Sequence, residues 1–449
     1  MKIIIVGAGK VGFVLAQMLS NDNHDVTVVD RSASRIETVE ERLDVETILG
    51  SCTSTDVLMR AGVKDADMLL AVTERDELNI VSCFIAKSYG VHSAIARVRS
   101  PEFANLDPLT VKNALGIDLM INPERIAADQ ICRILDYPYA IDVDFYNEGR
   151  VMLMEFKINE LTAVKDKLLR EIKTDFHYLI VGIMRNGEMI IPNGNVRILE
   201  GDRLFLFTTK EYIREVEEDF GQKRRKVRNV VIAGGDTISY YLASELEKRK
   251  MNIKIFEEDL DKCKQLAEAL NDALIIHGDA SDIHLLRDEN IEEADAFIAV
   301  TDEDNYNILS AVIAKELGAS LTIVQLKMSD YMSIADRIGI DQSISPRILA
   351  AGSILRFFHN SNVLSLDLIG DTDAQVLEIM APMHSEILNV PLFDLDFPKN
   401  AILGTIVRGS EVIIPRGSDS ILPGDKLLVI TLPGSSKRVE KFFEENHKL

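Results

Sequence analysis

The chain carries the same segment twice. Gly50, Leu58, Ala66, Asp67, Ala71, Val72, Thr73, Asp76, Asn79, Ala86 and Lys87 recur 228 positions later as Gly278, Leu286, Ala294, Asp295, Ala299, Val300, Thr301, Asp304, Asn307, Ala314 and Lys315. A second match, at an offset of 223, joins Arg185, Glu188, Ile190-Ile191-Pro192, Gly194, Ile198 and Gly201-Asp202 to Arg408, Glu411, Ile413-Ile414-Pro415, Gly417, Ile421 and Gly424-Asp425. The fold must therefore be two copies of a two-part unit. A length of 449 residues agrees, because it exceeds what one core fills and fits three or four domains.

Each first part reads as strands alternating with helices. Short apolar strands are expected at Lys2–Val6, Asp25–Asp30, Glu46–Leu49, Met68–Thr73 and Ala94–Val98, with helices at Gly9–Ser20, Ser34–Arg42, Thr53–Ala61 and Glu77–Tyr89. That pattern means a parallel sheet covered on both faces. It changes near Tyr137-Pro138, where a small module begins. Strands are expected there at Val151–Ile158, Tyr178–Met184, Met189–Ile191 and Leu204–Thr208, with helices at Thr162–Glu171 and Glu211–Phe220. In each module Gly-Asp reads as a turn pair before an apolar strand. The fold class is α/β: two doubly wound, Rossmann-like parallel-sheet domains at 1–136 and 227–360, each followed by a small α+β module, at 137–221 and 361–449.

The net charge of −22 argues against nucleic acid as the main partner, since phosphate binding needs a basic surface. It suits a partner with a basic face, such as the cytoplasmic loops of a membrane protein, or it serves solubility alone. Against this acidity, Gln222-Lys223-Arg224-Arg225-Lys226-Val227-Arg228 stands out, either as a solvated linker or as a contact for an acidic surface. No apolar run reaches the ~18–20 residues of a membrane helix, so direct membrane insertion is not expected and the chain is expected to stay in the cytosol. The four cysteines are scattered without a CxxC pair, so no disulfide framework or metal site is suggested.

Gly7-Ala8-Gly9-Lys10-Val11-Gly12 follows a strand and opens a helix, the setting in which GxGxxG carries weight. Gly7 allows the tight turn, Gly9 lets backbone approach a diphosphate, and Gly12 lets the helix pack on the strand. The helix N-terminus then offers N–H groups and partial positive charge. Asp30 ends the second strand, where a carboxylate accepts ribose hydroxyls and repels a 2′-phosphate. Cys52, Thr53, Thr73 and Glu74 follow the third and fourth strands and face the same crevice. Thr73 either bonds a ligand or caps the next helix, a role for which Asp76 competes. Arg97 lies in an apolar strand and needs an anion, either a phosphate or a structural carboxylate. Arg99 is assigned to the opposite face of the sheet.

The second copy departs at the turn. In Gly234-Gly235-Asp236-Thr237-Ile238-Ser239, Asp236 replaces Gly9 and Ser239 replaces Gly12, which puts a carboxylate in the path of a diphosphate. Glu257, Asp279, Ala280, Thr301 and Asp302 repeat the other strand ends. Weak binding, binding of something less anionic, or an empty scaffold all remain open there. No HExxH, GxSxG or GxxxxGK[ST] occurs, and the eight histidines form no partner pattern.

Two dinucleotide-fold domains, each followed by a small Gly-Asp module, resemble the RCK (or KTN) domain family. Within it they resemble the tandem regulatory subunits of Trk-type potassium uptake. The resemblance spans the whole chain, from Lys2-Ile3-Ile4-Ile5-Val6-Gly7-Ala8-Gly9 to the last module. It implies a regulatory protein and not an enzyme: a cytoplasmic homo-oligomeric ring, peripheral at the inner face of the cell membrane. NAD or NADH, with ATP and ADP as competing ligands, would shift its shape and so act on a membrane potassium transporter. The implied binding positions are Gly7, Ala8, Gly9, Lys10, Val11, Asp30, Cys52, Thr53, Thr73, Glu74 and Arg97. In the second half they are Gly234, Gly235, Asp236, Thr237, Ile238, Glu257, Asp279, Ala280, Thr301 and Asp302, where Asp236 and Ser239 break the pattern. An NAD-dependent oxidoreductase and a non-binding assembly scaffold are the competing readings.

Overall fold

The computed structural model describes residues 1–449 except 22–23, 101–113, 161, 173–176, 221–225, 359–362, 370–371, 373, 433 and 445–449. The basic stretch at Gln222-Lys223-Arg224-Arg225 lies outside the described residues. In chain order the strands are β1 Lys2–Val6, β2 Asp25–Asp30, β3 Glu46–Leu49, β4 Met68–Ala71, β5 Ser93–Arg97 and β6 Leu119–Ile121, then β7 Asp142–Tyr146, β8 Val151–Lys157, β9 Tyr178–Arg185, β10 Glu188–Ile190 and β11 Arg203–Thr208. The second half has β12 Asn229–Ala233, β13 Asn252–Glu257, β14 Leu274–His277, β15 Ala296–Ala299, β16 Thr322–Gln325 and β17 Gln342–Ile344. It ends with β18 Val363–Leu368, β19 Gln375–Met380, β20 Ala401–Arg408, β21 Glu411–Ile413 and β22 Lys426–Thr431.

These elements form two compact units. One holds Met1–Ile131 with Asn229–Ile354, the other Cys132–Arg228 with Leu355–Leu449. In the first unit each half builds a six-stranded sheet, ordered β3-β2-β1-β4-β5-β6 and β14-β13-β12-β15-β16-β17. All pairings within them are parallel. The α/β doubly wound reading therefore holds. Ile3, Ile4, Ile5 and Val6 are all buried, which explains an unbroken apolar run where a one-sided sheet would alternate. Each such side chain contributes roughly 1.5–3 kcal/mol on burial. The strand order reverses between β1 and β4, and between β12 and β15, which places a crevice at the carboxyl ends of those strands. The two halves also touch. The Tyr241 hydroxyl donates to the Arg99 carbonyl at 3.2 Å and accepts from Asn122 at 3.1 Å, and the Arg125 guanidinium lies 5.9 Å from the Tyr241 ring centre.

In the second unit each module is a five-stranded antiparallel sheet, ordered β10-β9-β11-β8-β7 and β18-β19-β22-β20-β21. Apolar faces of the two sheets meet, with Phe205 and Phe207 packed among Val376, Val407, Leu428 and Ile430. A Cβ on Gly404 would fall 2.3 Å from the Phe207 ring, so only glycine lets the sheets approach this closely. Two expectations are corrected here. Thr162–Glu171 is not a helix: turns precede a single 3-10 turn at Leu169–Glu171. Asp166 has φ 63°, and the N–H groups of Asp166, Leu169 and Arg170 bond instead to Ile198, Val196 and Gly194. The Gly-Asp pair is also more than a turn. Asp202 takes Arg185 in a two-pronged bond at 2.8 and 2.7 Å, and Asp425 takes Arg408 at 2.9 and 2.7 Å. Each carboxylate also accepts a backbone N–H at 2.8 Å, from Leu199 or Leu422, so the buried charge is fully engaged.

Candidate functional site

The first glycine turn is built by steric necessity at two of its three glycines. Gly7 has φ 107°, and its N–H bonds the Val29 carbonyl at 2.8 Å. A Cβ on Gly12 would lie 1.8 Å from the Gly7 carbonyl oxygen, so the helix Lys10–Asn21 can start here only from glycine. Gly9 differs. Its φ is not positive, and a Cβ there would meet nothing nearer than Arg35 at 3.7 Å. Packing within the chain gives no reason for a missing side chain at Gly9, which opens onto a crevice.

Two cavities adjoin at that turn. One of about 170 Å³ is lined by Gly7, Asp30, Cys52, Thr73, Glu74 and Leu78 among others. A larger one of about 800 Å³ is lined by Ala8, Gly9, Lys10, Val11, Arg97 and Glu124 of the first half and by Asp236, Thr237, Ile238, Asp302, Lys327 and Arg347 of the second. Arg35, Thr73 and Glu74 line both. Ten of the eleven first-half candidates thus reach one crevice. Thr53 lines neither cavity, and its hydroxyl lies 3.1 Å from that of Ser51.

The individual roles differ from those expected. Asp30 is buried and accepts the Ala8 N–H at 2.7 Å and the Ser32 N–H at 2.8 Å, so it braces the turn besides facing the cavity. Thr73 does not cap the next helix, and neither does Asp76. Thr73 donates its N–H and hydroxyl to Asn79, at 2.9 and 2.7 Å, while the Asn79 amide donates to the Thr73 and Arg97 carbonyls. Asp76 accepts the N–H groups of Arg99 and Ser100. Arg97 pairs with Glu124 at 3.0 Å, so its anion is a structural carboxylate, yet its buried Nε has no acceptor among the described residues. Arg99 lines the larger cavity beside Arg97. Its assignment to the opposite face was mistaken, because residues two apart share a face.

Arg35 escaped the sequence reading. It bonds Glu74 at 2.7 Å and stands 3.9 Å from Asp30. That hydrogen bond, together with the guanidinium charge, holds the Glu74 carboxyl below the usual range. The only signal for Arg35 was its repeat counterpart, Lys262.

The second half repeats the frame and sets its own bonded side chains at the crevice. Gly234 has φ 102°, and Thr301 and Asn307 repeat the Thr73–Asn79 network at 3.0 and 2.7 Å. Glu257 accepts the Gly235 N–H at 2.5 Å, as Asp30 accepts that of Ala8. The contents then diverge. Lys262 bonds Asp236 at 2.5 Å across the turn, and this bond raises the lysine pKa. Where the first half has Leu78, Tyr306 donates its hydroxyl to Asp279 at 2.8 Å and accepts the Ala280 N–H at 2.8 Å. Ser239 replaces Gly12 and donates to the Gly234 carbonyl at 2.5 Å. Gly234, Gly235, Glu257, Asp279, Ala280 and Thr301 line neither cavity, whereas Asp236, Thr237, Ile238 and Asp302 line the larger one. Among the described residues there is no cluster of three or more potential metal ligands, and no helix is long and apolar enough to cross a membrane.

Comparison with known proteins follows the same division. The TrkA-N domain matches residues 3–123 and again 230–346, and the TrkA-C domain matches 153–221 and 376–444. A Trk system potassium uptake protein TrkA homolog of Methanosarcina mazei is 34% identical over 99% of this chain and 100% of its own. The Trk system potassium uptake protein TrkA of Halomonas elongata is 33% identical, with 99% of each chain covered. These relatives are named for potassium uptake and not for an enzymatic reaction. In fold the chain resembles the GsuK RCK domain, with a TM-score of 0.63 at 19% identity over 98% of this chain and 94% of that one. It also resembles the GsuK channel bound to NAD, with a TM-score of 0.62 at 18% identity over 98% and 78%. The chain belongs to the TrkA family of Trk potassium-uptake regulatory proteins, with tandem TrkA-N and TrkA-C domains.

Proposed function

We propose that the chain is the cytoplasmic ring-forming subunit of a Trk-type potassium transporter, peripheral at the inner face of the membrane. In this reading it binds NAD(H) or an adenine nucleotide in its first half and transmits that state to the membrane partner. The observation that carries the proposal is Gly9, a glycine with no steric reason within the chain, set at a helix start over the larger cavity. A diphosphate laid on this turn would meet the N–H groups of the helix Lys10–Asn21 and the positive end of its dipole. The smaller cavity beside Asp30, Cys52 and Leu78 would take the adenosine. The second half, with Asp236 paired to Lys262 and Tyr306 bonded across Asp279, serves as a scaffold. Two kinds of support come from relatives: their names as potassium uptake proteins, and the NAD named with one GsuK channel.

Regulation then follows from unequal binding to two ring shapes. A ligand moves an equilibrium only by its differential affinity, and a preference of about 100-fold supplies ~2.7 kcal/mol. A test measures thermal unfolding of the chain with and without NADH and ATP, and potassium flux with the membrane subunit in proteoliposomes. Ligand should raise the Tm of the natural chain and change the flux. Gly9→Asp should keep its own Tm and lose both responses. An unchanged response in Gly9→Asp would overturn the proposal.

A further inference from the structure

The edge of the first module sets like charges against each other. β7 is the last strand of its sheet and pairs with β8. Its first residue, Asp142, stands directly opposite Glu155 of β8, and Asp144 lies two residues on, on the same face. Glu155 is buried and already engaged by the Arg203 guanidinium from β11, and Lys157 follows it on that face. Arg133, in the last turn of the helix Pro123–Asp136, also acts on Asp142. On the sheet that meets this face, Glu378 and Lys426 of the second module share a side with Val376 and Leu428. There Ser365 is registered opposite Glu378, so the facing acidic pair belongs to the first module.

Like charges directly opposite each other weaken an antiparallel pair, and an edge strand has no second neighbour to hold it. The rest of β7 is well fixed. On its other face Val143 is buried, and the Phe145 ring centre lies 6.2 Å from that of Tyr137. Beyond its far end Arg150 bonds the Asn147 carbonyl at 3.3 Å and the Gly409 carbonyl of the second module at 2.9 Å. Only the beginning of the strand sets a carboxyl against a carboxylate. Burial first, then Asp144 and Glu155, push Asp142 up to about 7, opposed by the Val143 N–H at 2.9 Å and by Arg133.

We propose that the start of β7 is a proton-sensitive edge: with a proton on Asp142 the strand pairs with β8 along its whole length, and loss of that proton frays its first residues. The frayed strand carries an ordinary carboxyl, which releases its proton near about pH 4, whereas the paired strand holds it to about pH 7. Fraying is therefore suppressed below about pH 4, grows between the two values and levels off above the higher one. β7 follows the helix Pro123–Asp136 through Tyr137–Ile141, and that helix begins with Pro123 and Glu124 of the larger cavity. A frayed β7 leaves the carboxyl end of this helix without the strand that fixes it. The chain thereby gains an input that is a proton and not a nucleotide, read in the first module and without a counterpart at Ser365.

The experiment is amide hydrogen exchange of the full chain without nucleotide at pH 6, 8 and 9, with the intrinsic pH dependence of exchange divided out. Opening of the amides of β7 should rise about tenfold from pH 6 to pH 8 and change little from pH 8 to pH 9, while that of the central strand β11 stays constant. Asp142→Asn should abolish the rise, and so should Asp142→Ser, which installs the residue of the second module. A Tm no lower than that of the natural chain checks that each variant folds. Opening of β7 that does not change with pH in the natural chain would overturn the proposal, as would a rise that persists in either folded variant. A rise of equal size in β11 would make the event global unfolding and overturn it as well.

Discussion

The two halves of the first unit share strand order, turn shape and the Thr–Asn network behind the crevice, yet they differ in what occupies it. In the first half Gly9 leaves the helix start open, and Leu78 borders a cavity of about 170 Å³. In the second half Asp236 and Lys262 form an ion pair at the corresponding turn, and the Tyr306 hydroxyl bridges Asp279 and the Ala280 N–H. The difference teaches that the frame of a dinucleotide fold is separable from the side chains set at its crevice. The frame depends on Gly7 or Gly234 and on a buried asparagine. In the proposed function, binding would depend on two or three side chains that can change without disturbing that frame.

The largest expected effect probes the turn itself. Gly12→Ser puts a Cβ 1.8 Å from the Gly7 oxygen, whereas the second half carries Ser239 in a hydrogen bond to Gly234. It should lower stability to urea by about 3 kcal/mol. A loss under about 0.5 kcal/mol would mean that the first turn can relax into the form of the second. Next in size is an attempt to open the second half. Under the proposed function, Asp236→Gly combined with Tyr306→Leu should add a nucleotide site in the second half, detected as a rise in ligand bound per chain. An unchanged count would show that Ser239 or Lys262 closes the crevice unaided.

The smallest effect separates the two small modules. Asp142 faces Glu155 across β7 and β8, whereas Ser365 faces Glu378 at the matching place in β18 and β19. Burial first, then the charges of Asp144 and Glu155, push Asp142 up to about 7, with Arg133 opposing. The folded state therefore holds a proton that the unfolded chain releases. Asp142 costs nothing below about pH 4, and its cost grows as pH rises toward 7. Asp142→Asn should be more stable than the natural chain by roughly 1–2 kcal/mol at pH 8, with the gain vanishing near pH 4. A gain of equal size at both pH values would contradict this origin.

Much of the frame was legible because its signals are local. Ile3–Val6 is an unbroken apolar run, the glycines follow within six residues, and the repeat confirms the run and its first glycine, Gly7 matching Gly234. Thr162–Glu171 was misread because its pattern is helical, while the decisive contacts come from the distant backbone of Gly194, Val196 and Ile198. Asp202 was read as a turn former because its partner Arg185 lies on another strand. The same physics hid part of the site. Lys262, Tyr306 and Arg347 act across the fold on residues far away in sequence. Tyr306 and Arg347 also replace residues of different chemistry, Leu78 and Glu124, so the repeat concealed them.

The central claim is that one half binds and the other does not. Its most direct test is a calorimetric titration of the purified chain with NADH and with ATP, counting sites per chain in the natural protein and in Gly9→Asp. The account predicts one site per chain, lost in Gly9→Asp. Two sites per chain, or one that survives Gly9→Asp, would place binding in the half that carries Asp236 and contradict it.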